Sequence, residues 1–510
     1  MRPYSAKDHL PGRLHSAAQV RALDAAAIAA ANIQGFELME RAGESAFACL
    51  LGRWSEAEHM CVLAGPGNNG GDGYVLAALA AYHGLRVTFY TLGDHSTLSD
   101  SSESAKDMAL KAGVVPQPFS GELSFDGDLI IDAILGTGLN TVLSGLYAKV
   151  VSAVNQHPAE VVALDLPSGL NATTGQIMGE AIRADMTVTF VAVKQGMLTC
   201  DGPDYCGEIA YAALDIDESI LREPVPTAER ISWDRLERLG QNLPPRSGNS
   251  HKGQHGHVLV VGGDVGMTGA VAMSAEAACR LGAGLVSCAT HAEHAAMINV
   301  RLPEIMCRGI VSGLELEPLL AKASVLAVGP GLGQSSWSGL LIQQVMNTSL
   351  PTVLDADALN WLSLPQWQRT FERRPVVLTP HPAEAARLLG CTTQEIQRDR
   401  FSAAEALAAR YQAVIVLKGQ GTLVARPVSD SGKADIAVCT DGNPGMASGG
   451  MGDVLTGVIA ALMAQGLSPW QAARLGVCLH SAAADMAVRE FGPRGMLATD
   501  LMPHLRKLNN

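Results

Sequence analysis

The stretch Asn443-Pro-Gly-Met-Ala-Ser-Gly-Gly-Met-Gly-Asp453-Val-Leu-Thr-Gly457 decides the fold of the second half of this chain. Its glycines stop at Asp453, and the apolar run Val454 to Ala464 that follows has helical spacing. A glycine-rich loop that opens a helix presents unpaired backbone N–H groups at the positive end of the helix dipole, which suits a phosphate. A carboxylate in the first turn can accept a proton from a hydroxyl group facing that phosphate. Asp is also an ordinary capping residue, so this loop alone leaves both interpretations open.

The composition indicates a folded protein of two or three domains. The chain has 510 residues, of which 47% are hydrophobic and 17% are charged. Its net charge of −13 argues against nucleic acid or an acidic membrane surface as a partner. Ten cysteines without a CxxC pair are typical of a reduced intracellular protein. No apolar run reaches the ~18–20 residues of a membrane span, and residues 1–9 lack a signal-peptide core. We therefore expect a cytoplasmic enzyme.

The first half begins with predicted helices, the first of which has Ser16 as its N-cap. A strand, a glycine loop and a further helix follow. The strand is Met60 to Ala64, the loop Gly65 to Gly73, and the helix Tyr74 to Tyr82. The spacing of the glycines is not GxGxxG, so we predict a nucleotide-type fold with a different grip on its ligand. The loop supplies side-chain oxygens at Asn68, Asn69 and Asp72.

Three further apolar strands lead into polar or glycine residues. They are predicted at 128–135, 160–165 and 185–194. Open α/β sheets bind ligands at the carboxyl ends of their strands. Asp132 and Asp165 stand at such ends, and each could instead cap the following helix. Together with Asn69 and Ser168, they could supply oxygen ligands to a hard cation.

The motifs GPGNNGGDG at 65–73, DAILGTGL at 132–139 and ALDLPSGL at 163–170 together resemble the NAD(P)H-hydrate epimerases over roughly residues 10–220. The resemblance implies that a hydrated dinucleotide is bound by Asn68, Asn69, Gly70, Gly71, Asp72, Gly136, Thr137, Gly138, Leu139, Asn140, Thr141 and Val142. It also implies a potassium ion at Asn69, Asp132 and Ser168, with Asp165 facing the nicotinamide ring. Lys194 matches less specifically.

The composition changes between Glu223 and Gly256, where prolines and small polar residues predict a linker or entry arm. We place the domain boundary near residue 225. Strand tips rich in glycine or acid–base residues then recur. These tips are Gly329–Gly333, 355–360, 379–384 and 418–422. No GxxxxGK[ST] motif occurs, so this is not a Walker-type site. His381 alone would more often be a structural residue, but its place between prolines at a strand tip favours a ligand contact.

The set KGQGT at 418–422, GNPGMASGGMGD at 442–453, GPGLG at 329–333 and TPHPAE at 379–384 resembles the ADP/ATP-dependent NAD(P)H-hydrate dehydratases over roughly 235–505. These are relatives of ribokinase-like kinases. The resemblance implies that nucleotide is bound by Lys418, Gly419, Gln420, Gly421, Thr422 and Gly452. It implies that Ala270, Gly331, His381 and Asp453 line the hydrate pocket.

The whole chain is thus similar to the bacterial bifunctional NAD(P)H-hydrate repair enzymes. The resemblance implies an α/β protein, with a Rossmann-like three-layer α/β/α epimerase domain at 1–225 and a ribokinase-like dehydratase domain at 226–510. The expected partners are hydrated NADH and NADPH, with K⁺ in the first domain and Mg²⁺ with ADP or ATP in the second. We also expect a homo-oligomer.

In both halves we expect a carboxylate to act as a general acid or base. Phosphorylation of the C6 hydroxyl makes a good leaving group, with Asp453 taking the hydroxyl proton. Asp165 would interconvert the R and S epimers, and the second domain would dehydrate the S form. Two alternatives stay open: a vitamin or sugar kinase that releases its phosphorylated product, and a first half that only binds dinucleotides or a partner protein.

Overall fold

The computed structural model describes residues 9–241, 243–427 and 435–510. The chain divides into two compact units, Met1–Arg230 and Ile231–Asn510. Residues 1–8, which include most of the segment that lacks a signal-peptide core, lie outside the described residues. Within the described ranges, no helix combines the length and the apolar character needed to cross a membrane.

The first unit is built on a parallel sheet. Its strands are β1 (Arg13–His15), β2 (His59–Ala64), β3 (Arg86–Thr91), β4 (Pro116–Pro118), β5 (Leu129–Ala133), β6 (Glu160–Leu164), β7 (Met186–Phe190), β8 (Val193–Lys194), β9 (Glu208–Ala212) and β10 (Ala228–Ile231). Seven of them form the sheet in the order β4-β3-β2-β5-β6-β7-β9, and every neighbouring pair is parallel. In a separate pairing, β1 lies between β10 and β8. The carboxyl ends of the parallel strands therefore meet at one edge, as the fold class predicted.

Helices connect these strands. They are α1 (Ala17–Ala31), α2 (Gly35–Arg53), α3 (Asn68–Tyr82), α4 (Asp100–Lys111), α5 (Gly145–Gln156) and α6 (Gly202–Tyr205). Helix α1 begins after Ser16, whose hydroxyl accepts from the Gln19 N–H while the Gln19 side chain accepts from the Ser16 N–H. This capping box satisfies two N–H groups that a helix start leaves unpaired. The predicted cap is confirmed.

The glycine motif after β2 is mostly helix rather than loop, which corrects the predicted start at Tyr74. Helix α3 begins at Asn68. A Cβ atom at Gly70 would lie 1.9 Å from the Gly65 carbonyl oxygen, and one at Gly73 would lie 2.6 Å from the Ala133 side chain. The glycines therefore let the first turns of α3 pack against the strand ends. This close packing explains why a glycine run supports a helix here.

The single strand predicted at 185–194 is broken into β7 and β8. Val191, between them, has φ 63°, a left-handed conformation that ends an extended run. The turn brings the Lys194 ammonium within 3.0 Å of the Phe190 carbonyl oxygen. An unbroken apolar run continues through this turn, so the sequence pattern alone did not reveal it.

The second unit is a mixed sheet that is mostly parallel. Its strands are β11 (His257–Val261), β12 (Leu285–His291), β13 (Met306–Ile310), β14 (Val325–Val328), β15 (Thr352–Leu354), β16 (Val376–Leu378), β17 (Val414–Leu417), β18 (Leu423–Arg426) and β19 (Asp435–Cys439). The order is β13-β12-β11-β14-β15-β16-β17-β18-β19, parallel up to β17 and antiparallel for the two pairs that follow. Both units are α/β, as predicted.

The helices of the second unit are α7 (Trp233–Arg238), α8 (Thr268–Arg280), α9 (Ala295–Arg301), α10 (Glu317–Leu320), α11 (Ser336–Met346), α12 (Ala356–Ser363), α13 (Pro382–Leu389), α14 (Thr393–Arg398), α15 (Arg400–Tyr411), α16 (Met451–Ala464), α17 (Pro469–Phe491) and α18 (Leu501–Leu508). Helix α16 is buried along nearly its whole length, not on one face. It packs against α8 so closely that a Cβ atom at Gly457 would lie 2.0 Å from the Ser274 carbonyl oxygen.

The region predicted as a linker, Glu223 to Gly256, contains regular structure. Strand β10 and helix α7 both lie within it. The Ser232 hydroxyl accepts from the Arg235 N–H at the start of α7, and Trp233 and Leu236 are buried in the core of the second unit. The prolines in this region predicted a break in regular structure. The proline-free stretch between them nevertheless forms a strand and a helix.

Candidate active sites

The first unit carries a cleft of about 640 Å³ at the carboxyl ends of its parallel strands. The predicted dinucleotide contacts that line it are Asn68, Asn69, Asp72, Gly136, Thr137, Gly138, Leu139, Asn140, Thr141 and Asp165. Gly70 and Gly71 lie behind this surface, against Gly65 and Met39. Val142 is exposed beside Gly179. The sheet topology thus gathers three motifs, which are distant in sequence, around one cleft.

Asp132 and Ser168 form a buried pair at the ends of neighbouring strands. The Ser168 hydroxyl donates to one carboxylate oxygen of Asp132 at 2.6 Å, and the Ser168 N–H donates to the other at 2.7 Å. Burial raises the pKa of Asp132 to about 6, although these hydrogen bonds act in the opposite direction. Two of the three predicted cation ligands therefore lie together, although neither is among the residues that line the cleft.

Asn69 is the least satisfied polar residue of this cleft. Its side chain is only 8% exposed, and neither its amide oxygen nor its amide nitrogen has a hydrogen-bond partner among the described residues. Leaving such a group unpaired costs about 1–3 kcal/mol. A Cβ atom at Gly136 would lie 3.5 Å from both the Asn69 Cβ and an Asp165 carboxylate oxygen. Asn69 therefore lies close to Asp165, where a bound group could satisfy its amide.

Lys194, which the sequence identified only weakly, is the partner of Asp165. Its buried ammonium donates to the Asp165 carboxylate, to the Thr189 hydroxyl at 2.9 Å and to the Phe190 carbonyl. Asp165 itself has φ 64° and borders the cleft. The break between β7 and β8 is what returns Lys194 to this position, so the pairing depended on a turn that the sequence did not announce.

Two further carboxyl groups share the electrostatics of this cleft. Asp24 of α1, which sequence reasoning missed, lines it. Burial, then the nearby charge of Asp165, raises the pKa of Asp24 to about 6. Burial also raises the pKa of Asp72 well above its usual range, helped by Asp165 and Asp24. The signal available in the sequence was an acid four residues after Val20 on an otherwise alanine-rich helix.

The second unit assembles a chain of charged groups at the ends of β15, β16 and β17. The Lys418 ammonium donates to the Asp355 carboxylate at 2.7 Å and lies 3.9 Å from a Glu384 oxygen. The Thr379 hydroxyl also donates to Asp355, at 2.8 Å. Nε2 of His381 lies 3.3 Å from the other Glu384 oxygen. Sequence reasoning named Lys418 and His381 as binding residues but gave no role to the carboxylates that connect them.

These contacts set the protonation of the cluster. Burial lowers the pKa of Lys418, but the charges of Asp355 and Glu384 outweigh it and raise that pKa above its usual range. Burial raises the pKa of Glu384. Burial lowers the pKa of His381, and the Lys418 charge adds to this effect. Nδ1 of His381 accepts from the Ala383 and Glu384 N–H groups, so His381 caps α13 as well as facing the cluster.

Asp453 lies in the first turn of α16, next to this cluster. A Cβ atom at Gly452 would lie 3.2 Å from the Lys418 ammonium and 3.5 Å from an Asp355 oxygen, so the helix start reaches the Lys418–Asp355 pair. Burial, then the charge of Asp355, raises the pKa of Asp453 to about 7, while Lys418 opposes the shift. A carboxyl group with this pKa can both accept and donate a proton near neutral pH.

Gly331 and Ala270, which are both predicted to line the hydrate pocket, lie next to each other. A Cβ atom at Gly331 would lie 3.1 Å from the Ala270 side chain, and Gly331 has φ 58°, which a residue with a side chain adopts only with strain. The Gly331 carbonyl accepts from the Asp264 N–H at 2.7 Å. Nearby, the Gly333 N–H donates to Asp357 at 2.8 Å. The loop after β14 is thereby bonded to the loop after β11 and to the first turn of α12.

Arg400 supports the predicted nucleotide segment, and no motif in the sequence indicates this contact. Its side chain is 1% exposed, and its guanidinium donates to the carbonyl oxygens of Leu417, Lys418 and Gly421 at 3.2–3.4 Å. A Cβ atom at Gly419 would lie 2.3 Å from this guanidinium. Because the carbonyl groups turn toward Arg400, the segment has a fixed shape before any ligand binds.

Two family models match this chain, one in each half. A family model described as NAD(P)H-hydrate dehydratase matches residues 258–507, and one described as YjeF-related protein N-terminus matches residues 35–196. The solved structure of an ADP/ATP-dependent NAD(P)H-hydrate dehydratase from Bacillus subtilis is 31% identical, covers 53% of this chain and 95% of its own, and has a TM-score of 0.46.

Curated relatives match nearly the full length. The bifunctional NAD(P)H-hydrate repair enzyme Nnr of Coxiella burnetii is 47% identical over 98% of this chain and 99% of that protein. The proteins of the same name from Escherichia coli K12 and Vibrio cholerae are 43% and 41% identical, over 93% and 98% of this chain and 90% and 99% of their own lengths. At this identity and coverage, the chain belongs to the family of bifunctional NAD(P)H-hydrate repair enzymes.

Proposed function

We propose that the chain repairs hydrated NADH and NADPH through two activities. The first unit interconverts the R and S epimers at C6, and the second dehydrates the S form at the expense of ADP or ATP. The observation that carries the proposal is the Asp453 carboxyl group, whose pKa of about 7 provides a base beside Lys418 and the start of α16. A base of this strength suits proton transfer at neutral pH.

Dehydration needs a better leaving group than hydroxide. Asp453 takes the proton of the C6 hydroxyl as that oxygen attacks the terminal phosphorus of the nucleotide. The nucleotide leaves one phosphate shorter, and the ring nitrogen then expels phosphate from C6. Loss of a proton from C5 restores the dihydronicotinamide. The backbone N–H groups at the start of α16 supply fixed positive dipoles for the phosphoryl group that is being transferred.

Lys418 is the cation of this site, and its position is set by Asp355. An ammonium fixed by a buried carboxylate at 2.7 Å remains charged and cannot swing away. The Arg400 guanidinium holds the carbonyl groups of Leu417, Lys418 and Gly421, so the segment 418–422 keeps one shape in which to receive a nucleotide. We infer that Gln420 and Thr422 contact the nucleotide because they belong to this same segment.

The carboxylates around Lys418 also fit a magnesium ion accompanying the nucleotide. Mg²⁺ prefers carboxylate and phosphate oxygens and is often held by only one or two carboxylates. Asp355 and Glu384 are the residues that would hold it. The charge of Asp355 acts on both Glu384 and Asp453, and the charge of Asp357 also acts on Asp453. When bound, the ion would neutralise charge on the phosphates. Glu384 lies 3.9 Å from the Lys418 ammonium and also accepts from the His381 N–H at 2.8 Å.

Epimerisation requires proton transfer to and from the oxygen on C6, the carbon that carries both the hydroxyl and the ring nitrogen. We assign this proton transfer to Asp165, which follows β6, borders the cleft and is bonded to Lys194. The ammonium of Lys194 has three partners and is buried, so it orients the carboxylate rather than reacting. Asn69 beside it would bind a polar group of the substrate or an ion.

Potassium fits the oxygen set of Asn69, Asp132 and Ser168. Asn69 has an unsatisfied buried amide oxygen, and Asp132 and Ser168 carry oxygen atoms in a buried hydrogen-bonded pair. Hard cations prefer such ligands. When bound, the ion would supply a fixed positive charge beside the cleft.

We also propose that the division between the units separates the activities. Residues 1–225 would hold the epimerase and 226–510 the dehydratase, with the compact units dividing at Arg230. The net charge of −13 and the ten cysteines, all free, support a cytoplasmic location. A homo-oligomer is a further proposal, which the native mass in solution would test.

The competing function is a small-molecule kinase that releases a phosphorylated vitamin or sugar. The deciding experiment incubates the protein with hydrated NADH plus ADP or ATP and follows the absorbance of the dihydronicotinamide ring. Return of the absorbance with release of phosphate supports repair. Nucleotide consumption without any return of absorbance would support a kinase instead.

A further inference from the structure

Asp24 brings an additional carboxyl group into the cleft of the first unit. It lies on α1, which precedes the segment 35–196 matched by the N-terminal family model. Asp24 follows the buried Val20 by four residues and precedes the buried Ala27 by three, so it shares the packed side of the helix. Carboxyl groups are rarely placed there without a partner or a role.

The charges around Asp24 come from four elements. Asp165 follows β6, Asp72 belongs to α3, Lys194 ends β8, and Arg21 precedes it on α1. Arg21 is itself tied to the cleft, because its guanidinium donates to the Thr137 carbonyl at 3.0 Å. Burial and the charge of Asp165 raise the pKa of Asp24 to about 6, so this group can carry a proton that an exposed aspartate would have lost.

The same cleft shows an independent sign of a bound ligand. Asn69 lines it with both polar atoms of its side chain buried and without hydrogen-bond partners among the described residues. Asn69 and Asp165 both border Gly136, where the substrate segment begins. A ligand that satisfies Asn69 would therefore lie between residues that the sheet contributes and the carboxyl group that α1 contributes.

We propose that Asp24 is a catalytic residue of epimerisation that exchanges a proton with the C6 hydroxyl group, while Asp165 serves the opposite face of the ring. The inference rests on the proposed epimerase function and adds a residue that the motif resemblance does not include. It assigns a chemical role to α1, whose alanine-rich sequence otherwise indicates only packing.

The Asp24 carboxyl group donates its proton to the C6 hydroxyl, the C6–O bond breaks, and water leaves as the ring nitrogen lone pair forms a C=N bond. Water then adds to C6 from the other face, the electron pair returns to nitrogen, and Asp165 takes the proton of the adding water. In the reverse direction the two groups exchange roles, and solvent returns the proton between turnovers.

The test is the epimerisation rate of the full chain carrying Asp24→Asn. Purified R epimer is incubated without nucleotide, and its conversion to the S epimer is followed by chromatography after subtraction of the reaction without enzyme. We expect kcat to fall by a factor of about 10² or more with KM unchanged. Asp107→Asn removes the same charge from an exposed position of α4 and should leave both parameters unchanged.

The pH profile separates a catalytic from a structural role. The wild-type rate should decline as pH rises above about 6, because the donor loses its proton, and Asp24→Asn should lose this decline. An unchanged kcat, a loss expressed only in KM, or the same decline in both proteins would overturn the proposal. If Asp24→Asn unfolds, Asp24→Glu is the deciding variant. Its epimerisation rate should decline at a different pH from that of the wild type, and a decline at the same pH would refute the role. A wild-type protein without epimerase activity would refute the proposed function instead.

Discussion

Replacing Asp453 by Asn isolates the base of the second unit. The substitution keeps the size of the side chain at the start of α16 but removes its ability to accept a proton. Losing a general base costs a factor of about 10²–10⁴ in rate, which corresponds to about 3–5 kcal/mol of transition-state stabilisation. Binding of nucleotide should persist, because Lys418 keeps its partners Asp355 and Glu384.

The pKa adds a second, independent signature. With a pKa of about 7, about half of the Asp453 groups are ionised at pH 7 and about one in ten at pH 6. The base is active only when ionised, so wild-type dehydration should rise about tenfold from pH 6 to pH 8. The residual rate of Asp453→Asn should not follow this rise.

The assay uses purified S epimer with ADP or ATP and records the return of dihydronicotinamide absorbance at several pH values. Asp234→Asn, on the exposed surface of α7, is the matched control and should behave as wild type. If Asp453→Asn dehydrates at the normal rate, Asp453 only caps the helix. If its rate is low but still rises with pH as in wild type, another group is the base.

Three further outcomes follow from the contacts already described. Asp165→Asn should spare dehydration of the S epimer, so a progress curve on mixed epimers should stop after the S fraction apart from slow spontaneous conversion; complete consumption at the wild-type rate would contradict the role of Asp165. Epimerisation should require K⁺ and should fall in Asp132→Ala, whereas equal rates with and without K⁺ together with an active variant would exclude the ion. Gly457→Ala should lower the free energy of unfolding by about 1–3 kcal/mol, measured with denaturant, because the new Cβ would meet the Ser274 carbonyl at 2.0 Å; Gly269→Ala, which has open space, is the control.

Local signals carried most of the fold prediction. The strand predicted from Met60 to Ala64 appears as His59–Ala64, and the helix predicted after Ser16 begins there with its capping box. Apolar runs and caps depend on residues a few positions apart, so the sequence displays them directly. The start of α3 was misplaced because glycine usually marks a loop, whereas here it permits a close approach between helix and strands.

The partners within the sites could not be predicted in the same way. Lys418 and Asp355 are 63 positions apart, and Lys194 meets Asp165 only because the chain turns at Val191. Arg400 contacts the nucleotide segment through backbone carbonyls, which no motif records. The residue types at strand tips were visible, but the pairing of charges depends on the packing of distant elements.

The burial of α16 on nearly all sides has a consequence for how the second site behaves over time. Surface loops open by local fluctuations that leave the rest of a domain intact, while central helices exchange their amide hydrogens only when the whole cooperative unit unfolds. Gly452 and Asp453 lie in the first turn of this helix, directly before its continuously buried stretch, so we expect their geometry to persist until the unit unfolds. Heat or denaturant should therefore abolish dehydration in the same transition that melts the core, without an earlier softening of the site.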